Sequence, residues 1–145
     1  MSLHYVVLLL GSNLGDTKSN LNQAIAKIEN CLGKIIKTSE MIETQPINFE
    51  SINIFRNIAI NLTTTISPYS FLNAVKSIEK DMGRELDSSA VGGYIDRIID
   101  IDIVTFNNIN FISRKLEIPH KKHLYEREFS VRLLEGLKEN FKTQI

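Results

Sequence analysis

The chain has 145 residues, 43% of them hydrophobic and 23% charged, and its 17 basic and 17 acidic side chains give a formal net charge of zero. That length fits one domain, 1–145, with a sizeable core, and the balanced charge excludes a general nucleic-acid binder, which needs a basic excess. A single cysteine, Cys31, excludes an internal disulfide or a Cys-rich zinc site and agrees with a reducing cytoplasm.

His4 to Leu10 is a short apolar run that reads as a central strand. It is too short for a signal peptide or a membrane span, so a cytoplasmic protein with no membrane partner is expected. Gly11-Ser12-Asn13-Leu14-Gly15-Asp16 breaks the strand, and Asp16 or Thr17 caps a helix over 18–32 whose stripe is Leu21, Ile25, Ile28 and Leu32. Cys31 in this setting reads as a packed helix residue rather than a nucleophile. Gly33 ends the helix. Ile35 to Thr44 reads as a second strand, stopped by Gln45-Pro46, and 47–53 as a polar loop. Phe55 to Thr65 alternates as a third strand, with Phe55 and Asn57 on one face. Ser67-Pro68 starts a second helix with Phe71, Leu72, Val75, Ile78 and Met82 on its apolar stripe, and Gly83 ends it. Residues 84–95 contain Gly92-Gly93 and lack periodicity, which predicts a mobile loop.

Arg97-Ile98-Ile99-Asp100-Ile101-Asp102-Ile103-Val104 reads as a buried strand carrying two carboxylates on one face, about 7 Å apart. Two unpaired carboxylates facing one way are costly. A divalent cation bound by oxygen donors, such as Mg²⁺, explains the pair. The pair alone is equally consistent with a solvated sheet face on which Arg97 serves as salt-bridge partner. Asn107-Asn108 suggests a hairpin turn into a short strand at 110–112, and 126–141 begins as a helix. The order β-α-β-β-α-β with C-terminal additions predicts an α+β, ferredoxin-like antiparallel sheet with two helices packed on one face, followed by a hairpin and a helix.

The glycine-rich turn lacks the Gly-Lys-Ser/Thr ending of a phosphate loop and reads as a plain strand-to-helix connection. Phe55 beside Asn57 suits a flat heterocycle with a hydrogen-bonding edge, although a core Phe and a turn-satisfying Asn explain them as well. Glu79, Arg84, Arg97, His120 and Arg127 gather charge at loop ends, and arginine forks match phosphate oxygens. His120 and His123 alone do not make a metal site.

Taken in order, these elements resemble the bacterial 6-hydroxymethyl-7,8-dihydropterin pyrophosphokinases of folate synthesis, from Gly11 to about Leu134. The matching residues are Gly11-Ser12-Asn13-Leu14-Gly15-Asp16, Glu43-Thr44-x-Pro46, Phe55-x-Asn57, Ile78-Glu79 with Gly83-Arg84, Arg97-x-x-Asp100-Ile101-Asp102-Ile103, Pro119-His120 and Glu126-Arg127-x-Phe129. The resemblance implies pyrophosphate transfer from ATP to the pterin hydroxymethyl group, with release of AMP. It implies two Mg²⁺ ions at Asp100 and Asp102, and Arg84, Arg97, Asp100 and Asp102 as catalytic residues. It assigns the pterin to Thr44, Pro46, Ile47, Phe55, Asn57 and Phe129. It assigns ATP to Glu79, Arg84, Arg97, Ile103, Lys115, Leu116, His120 and Arg127, in a monomer whose partners are these two small molecules.

The chain departs from the family pattern in places. Leu86 stands where a second arginine is common, no Trp is present and Tyr94 is its nearest substitute, and Ile95-Asp96 precede Arg97 where a small residue and then Pro, Ser or Ala are preferred. The loop after Arg84 is longer than usual and is expected to close over bound substrates. His120 and Arg127 stand one residue farther apart than usual. The rival expectations are a non-catalytic pterin- or nucleotide-binding module on the same fold, and an ordinary ferredoxin-like interaction domain.

Overall fold

The computed structural model describes residues 2–44, 54–83, 96–113 and 116–143. Expectations for Pro46, Ile47, Arg84, Leu86, Tyr94, Ile95 and Lys115, and for the lid at 84–95, lie outside the described residues.

The apolar run at the start of the chain forms β1 (His4–Ser12), which has an antiparallel partner on each side: β4 (Phe55–Thr64) and β5 (Asp100–Phe106). The outer edge of β4 pairs with β2 (Lys34–Thr38) and, farther along, with β3 (Ile42–Thr44). The resulting order β2-β4-β1-β5 is the antiparallel sheet of the ferredoxin-like fold. The second strand was expected to be continuous, and Ser39 divides it. Its hydroxyl accepts from the Ala59 amide at 2.9 Å, the place a ladder carbonyl would take, so the regular pairing stops there.

Helices α1 (Thr17–Cys31) and α2 (Pro68–Asp81) cover one sheet face. Asp16 caps α1 by accepting from the Ser19 amide at 3.1 Å. Leu21, Ala24 and Ile28 of α1 and Phe71, Val75 and Ile78 of α2 pack with Leu8, Leu10, Ile60, Ile101 and Ile103. Alternation along the strands sends Leu9, Ala59 and Val104 to the opposite face, where α3 (Glu128–Thr143) covers them with Leu133 and Leu137. Among the described residues no helix is long and apolar enough to cross a membrane.

Three local expectations are corrected. Cys31 is exposed, because it falls off the stripe that buries Ile28 and Leu32. Asn107 turns the chain with φ 52°, but the strand that follows does not fold back on β5. The Asn107 side chain is committed to the Tyr5 amide at 2.7 Å, and β6 (Phe111–Ile112) pairs instead with β7 (Glu117–Ile118). The last helix starts at Glu128, after a single π-helical turn over Lys122–Glu126.

Candidate active site

The site is built by register. Gly11 of β1 lies opposite Asn57 on one side and Asp100 on the other, and Leu9 lies opposite Ala59 and Asp102. Residues directly opposed in antiparallel strands project to the same face. Asn57, Asp100 and Asp102 therefore share the face that α3 covers through Leu133 and Leu137, while Ile99, Ile101 and Ile103 enter the core beneath α1 and α2.

Two buried polar residues fix the carboxylate strand. Glu79 of α2 is 2% exposed, and its Oε2 accepts from the Ile101 amide, between the two aspartates, at 2.8 Å. Its Oε1 lies 3.3 Å from Lys76 Nζ. Asn13 ties the glycine-rich turn to the entry of β5. Its Oδ1 accepts from the Arg97 amide at 2.7 Å, its own amide donates to the Arg97 carbonyl at 3.0 Å, and its Nδ2 donates to Asp96 Oδ1 at 2.7 Å. Asp96, unusual for the family, thus completes an anchor. Held this way, Arg97 places Nη1 3.3 Å from Asp100 Oδ2, and its buried Nε has no hydrogen-bond partner among the described residues.

Asp102 faces the C-terminal segment. His123 Nε2 lies 2.6 Å from Asp102 Oδ2, and His120 Nε2 lies 4.0 Å from the same oxygen. Burial pushes the Asp102 carboxyl up. The hydrogen bond from His123 and the positive surroundings of His123, His120 and Arg127 outweigh burial and hold it below the ordinary carboxylate value. Burial lowers the His120 imidazole, and His123 and Arg127 add to that effect against the opposing pull of Asp102. Asp102, His120 and His123 bring one potential ligand atom each within 4.8 Å of one another. Arg127 Nη1 stands 3.4 Å from His123 Nε2.

Across Gly11, Asn57 is 5% exposed and donates from Nδ2 to Thr44 Oγ1 at 2.9 Å, while Phe55 pairs with Thr44 in register. A Cβ on residue 11 would lie 2.8 Å from Asn57 Oδ1 and 3.5 Å from Phe55 Cδ1, so glycine is what lets both side chains lean over β1. A cleft of about 390 Å³ opens beside them, lined by Asn13, Gly15, Thr17, Glu43, Phe55 and Arg56. Phe129 packs edge-on to His123 with centroids 6.4 Å apart. Ile103 and Leu116 belong to the core under α1 and α2. Among the described residues, the structure therefore gathers Asp100, Asp102, Arg97, His120 and Arg127 at one part of the site and Thr44, Phe55 and Asn57 at another. It adds His123, which the sequence reading weighed with His120 only as an insufficient metal site, and Ser130, which it did not single out. The one signal for His123 was its place three residues after His120, next to the irregular His120–Arg127 spacing.

Residues 7–139 match the family model for 7,8-dihydro-6-hydroxymethylpterin-pyrophosphokinase. A 2-amino-4-hydroxy-6-hydroxymethyldihydropteridine pyrophosphokinase of Porphyromonas gingivalis is 37% identical over 125 residues, 86% of this chain and 84% of that protein. A protein of the same name from Bacillus subtilis is 33% identical over 121 residues, 83% of this chain and 70% of its own length. In structure, the chain resembles wild-type HPPK-DHPS of Plasmodium falciparum with a TM-score of 0.66 at 21% identity, over 94% of this chain and 38% of that one, a likeness of fold.

Proposed function

The chain belongs to the 7,8-dihydro-6-hydroxymethylpterin-pyrophosphokinase family, and on that premise we propose that it takes the pyrophosphoryl group from ATP in a Mg²⁺-dependent reaction that releases AMP. The family's reaction, pyrophosphoryl transfer to hydroxymethyldihydropterin in folate biosynthesis, is the activity of this chain. The observation that carries the finer reading is the register that sets Asn57 and Asp100 on either side of Gly11. A heterocycle edge and a polyphosphate can then be held side by side on one sheet face.

Asp100 and Asp102 fit a hard divalent cation. They offer oxygen donors only, on one face, and the Asp102 carboxyl is kept ionised by its neighbours. They would hold two Mg²⁺ ions, which when bound supply neutralisation of phosphate charge. The remaining work falls to the chain's own groups. Arg97, with a buried Nε lacking a protein partner among the described residues, suits a phosphate oxygen. Arg127 extends the positive surface from the other side of Asp102, His120 offers a ring nitrogen there whose neutral form burial favours, and Arg84 is assigned to the phosphates with them. Asn57 and Thr44 bond the pterin edge, Phe55 and Phe129 stack on its ring, and Pro46 and Ile47 complete its pocket. Lys115 is assigned to the adenine end, with Ile103 and Leu116 offering only their backbone there, since their side chains lie in the core. Glu79 acts on the nucleotide through β5, whose Ile101 amide it holds.

The substrate hydroxyl is the nucleophile. It bonds to the β-phosphorus as the bond to the α,β-bridging oxygen breaks, so AMP leaves with that oxygen and the hydroxyl proton passes to water. Such a transfer depends on positioning and charge more than on covalent catalysis, and needs no Ser or Cys nucleophile. The chain would act as a cytoplasmic monomer. The test is product analysis with ATP, Mg²⁺ and 6-hydroxymethyl-7,8-dihydropterin. One AMP per pterin diphosphate is expected. Formation of ADP, or pterin binding without turnover, would replace this reading with a different kinase or a binding module.

A further inference from the structure

The π turn puts a histidine where the metal-side carboxylate ends. A π-helical bond joins residues five apart instead of four, so such a turn absorbs one extra residue. Here the Arg127 amide donates to the Lys122 carbonyl at 2.8 Å, closing the turn over the stretch in which His120 and Arg127 are one residue farther apart than is usual in the family. His123 sits inside that turn and is 2% exposed. Its Nε2 lies 2.6 Å from Asp102 Oδ2, and its Nδ1 lies 2.6 Å from the hydroxyl of Ser130, a fully buried residue on the first turn of α3. The His120 ring stacks 4.2 Å away at 32°, and Phe129 closes the far edge.

The hydrogen-bond roles follow from the partners. An ionised carboxylate only accepts, so His123 Nε2 donates to Asp102, and the Ser130 hydroxyl, which can donate or accept, fixes the ring from Nδ1. Arg127 Nη1, 3.4 Å from Nε2, meets a donor with a donor and contributes charge rather than a bond. Both histidine contacts fall on Oδ2 of Asp102.

We infer that His123, oriented by Ser130, is a positioning residue for the cation site: it occupies Asp102 Oδ2 and so presents Oδ1 of Asp102 to the metal. Carboxylates that ligate metals are themselves held by hydrogen bonds, and losing such a support typically reduces metal affinity or activity about 10- to 100-fold. The inference rests on the reading of Asp102 as a metal ligand. It adds a histidine–serine pair that reaches Asp102 through the π turn.

The test compares the native protein with His123→Phe, His123→Gln and Ser130→Ala. Mn²⁺ binding is followed by electron paramagnetic resonance in the presence of α,β-methylene ATP, and the Mg²⁺ dependence of AMP formation is measured in parallel. His123→Phe is expected to weaken Mn²⁺ binding about 10- to 100-fold and to raise the Mg²⁺ needed for half-maximal turnover by the same factor. Metal-free pterin binding should be unchanged. His123→Gln, whose amide can still donate to Asp102, should recover most of the Mn²⁺ affinity, and Ser130→Ala should lose part of it. Native Mn²⁺ affinity in folded His123→Phe overturns the inference, and so does equal damage in the Phe and Gln variants, which marks a packing role. If His123→Phe does not fold, Ser130→Ala decides by the same Mn²⁺ titration: weaker binding supports the inference and native binding overturns it. A native protein that binds Mn²⁺ but forms no AMP would fail the functional reading while leaving this titration intact.

Discussion

Asn57 and Asp100 occupy the same level of three adjacent strands, separated only by Gly11 of β1. Two interstrand spacings put their backbones about 10 Å apart. That gap suits an acceptor bound by Asn57 whose reacting oxygen must reach a phosphate held beside Asp100. Gly11 is the residue that leaves the gap open.

Substituting Gly11 by alanine should therefore damage the pterin side selectively. The added Cβ would stand 2.8 Å from Asn57 Oδ1, and Asn57 is buried and tied to Thr44, so its amide must turn or lose that bond. An unmet buried hydrogen bond costs about 1–3 kcal/mol, so pterin affinity should fall roughly 10-fold or more while ATP-analogue binding changes little. Calorimetry with each ligand separately checks this. Equal loss of both would mean that β1 itself had moved.

Asp100→Asn and Asp102→Asn should leave the fold in place, because each keeps its shape while one of two like charges is removed. Turnover should fall by orders of magnitude, since metal-assisted charge stabilisation is worth several kcal/mol. Circular dichroism and AMP release make the comparison. Near-native turnover at saturating Mg²⁺ would show that the cations bind elsewhere.

Phe55→Ala should weaken pterin more than nucleotide, by about 1 kcal/mol beyond the lost contact area. Asn57→Ala should blur discrimination between pterin analogues that differ at the hydrogen-bonding edge, and it also leaves Thr44 Oγ1 without its donor. The measurement is a panel of analogue dissociation constants. Parallel weakening of every analogue and of ATP would reassign both residues to the core.

What the sequence made legible is what strand periodicity and register carry. Alternation alone placed Asp100 and Asp102 on one face and Ile101 and Ile103 in the core, and the apolar stripes of α1 and α2 predicted the burial of Leu21, Ile28, Phe71, Leu72, Val75 and Ile78 but not that of Ala24 or Glu79. The unread features depend on polar contacts between segments distant in the chain. Asn13 looked like part of an ordinary turn because its partners, Asp96 and Arg97, lie more than eighty residues away. Ser39 looked like a strand residue because only the folded sheet brings its hydroxyl to Ala59. His123 looked like a lone histidine because a π turn has no signature in hydrophobic spacing, and its ring meets Asp102 only once that turn is made.

Asn13 gives the sharpest test of how the fold reaches the chemistry. Its side chain holds the Arg97 amide and the Asp96 carboxylate, while its own amide holds the Arg97 carbonyl. Asn13→Ala keeps the backbone bond and removes both side-chain bonds. The Arg97 amide then lacks its acceptor, and Asp96 loses its donor next to a buried guanidinium. Stability should fall by about 1–3 kcal/mol, the usual penalty for a buried polar group left unpaired. Arg97 should also lose the fixed entry angle that aims it along Asp100, so the KM for ATP should rise several-fold with pterin affinity preserved. Asn13→Asp keeps the acceptor for the Arg97 amide but sets a carboxylate against Asp96, so it should be worse than alanine at neutral pH. Thermal denaturation and the KM for ATP across the two variants test the anchor. A stability loss with native KM would confine Asn13 to folding, and an aspartate variant better than alanine would refute the geometry assigned to Asp96.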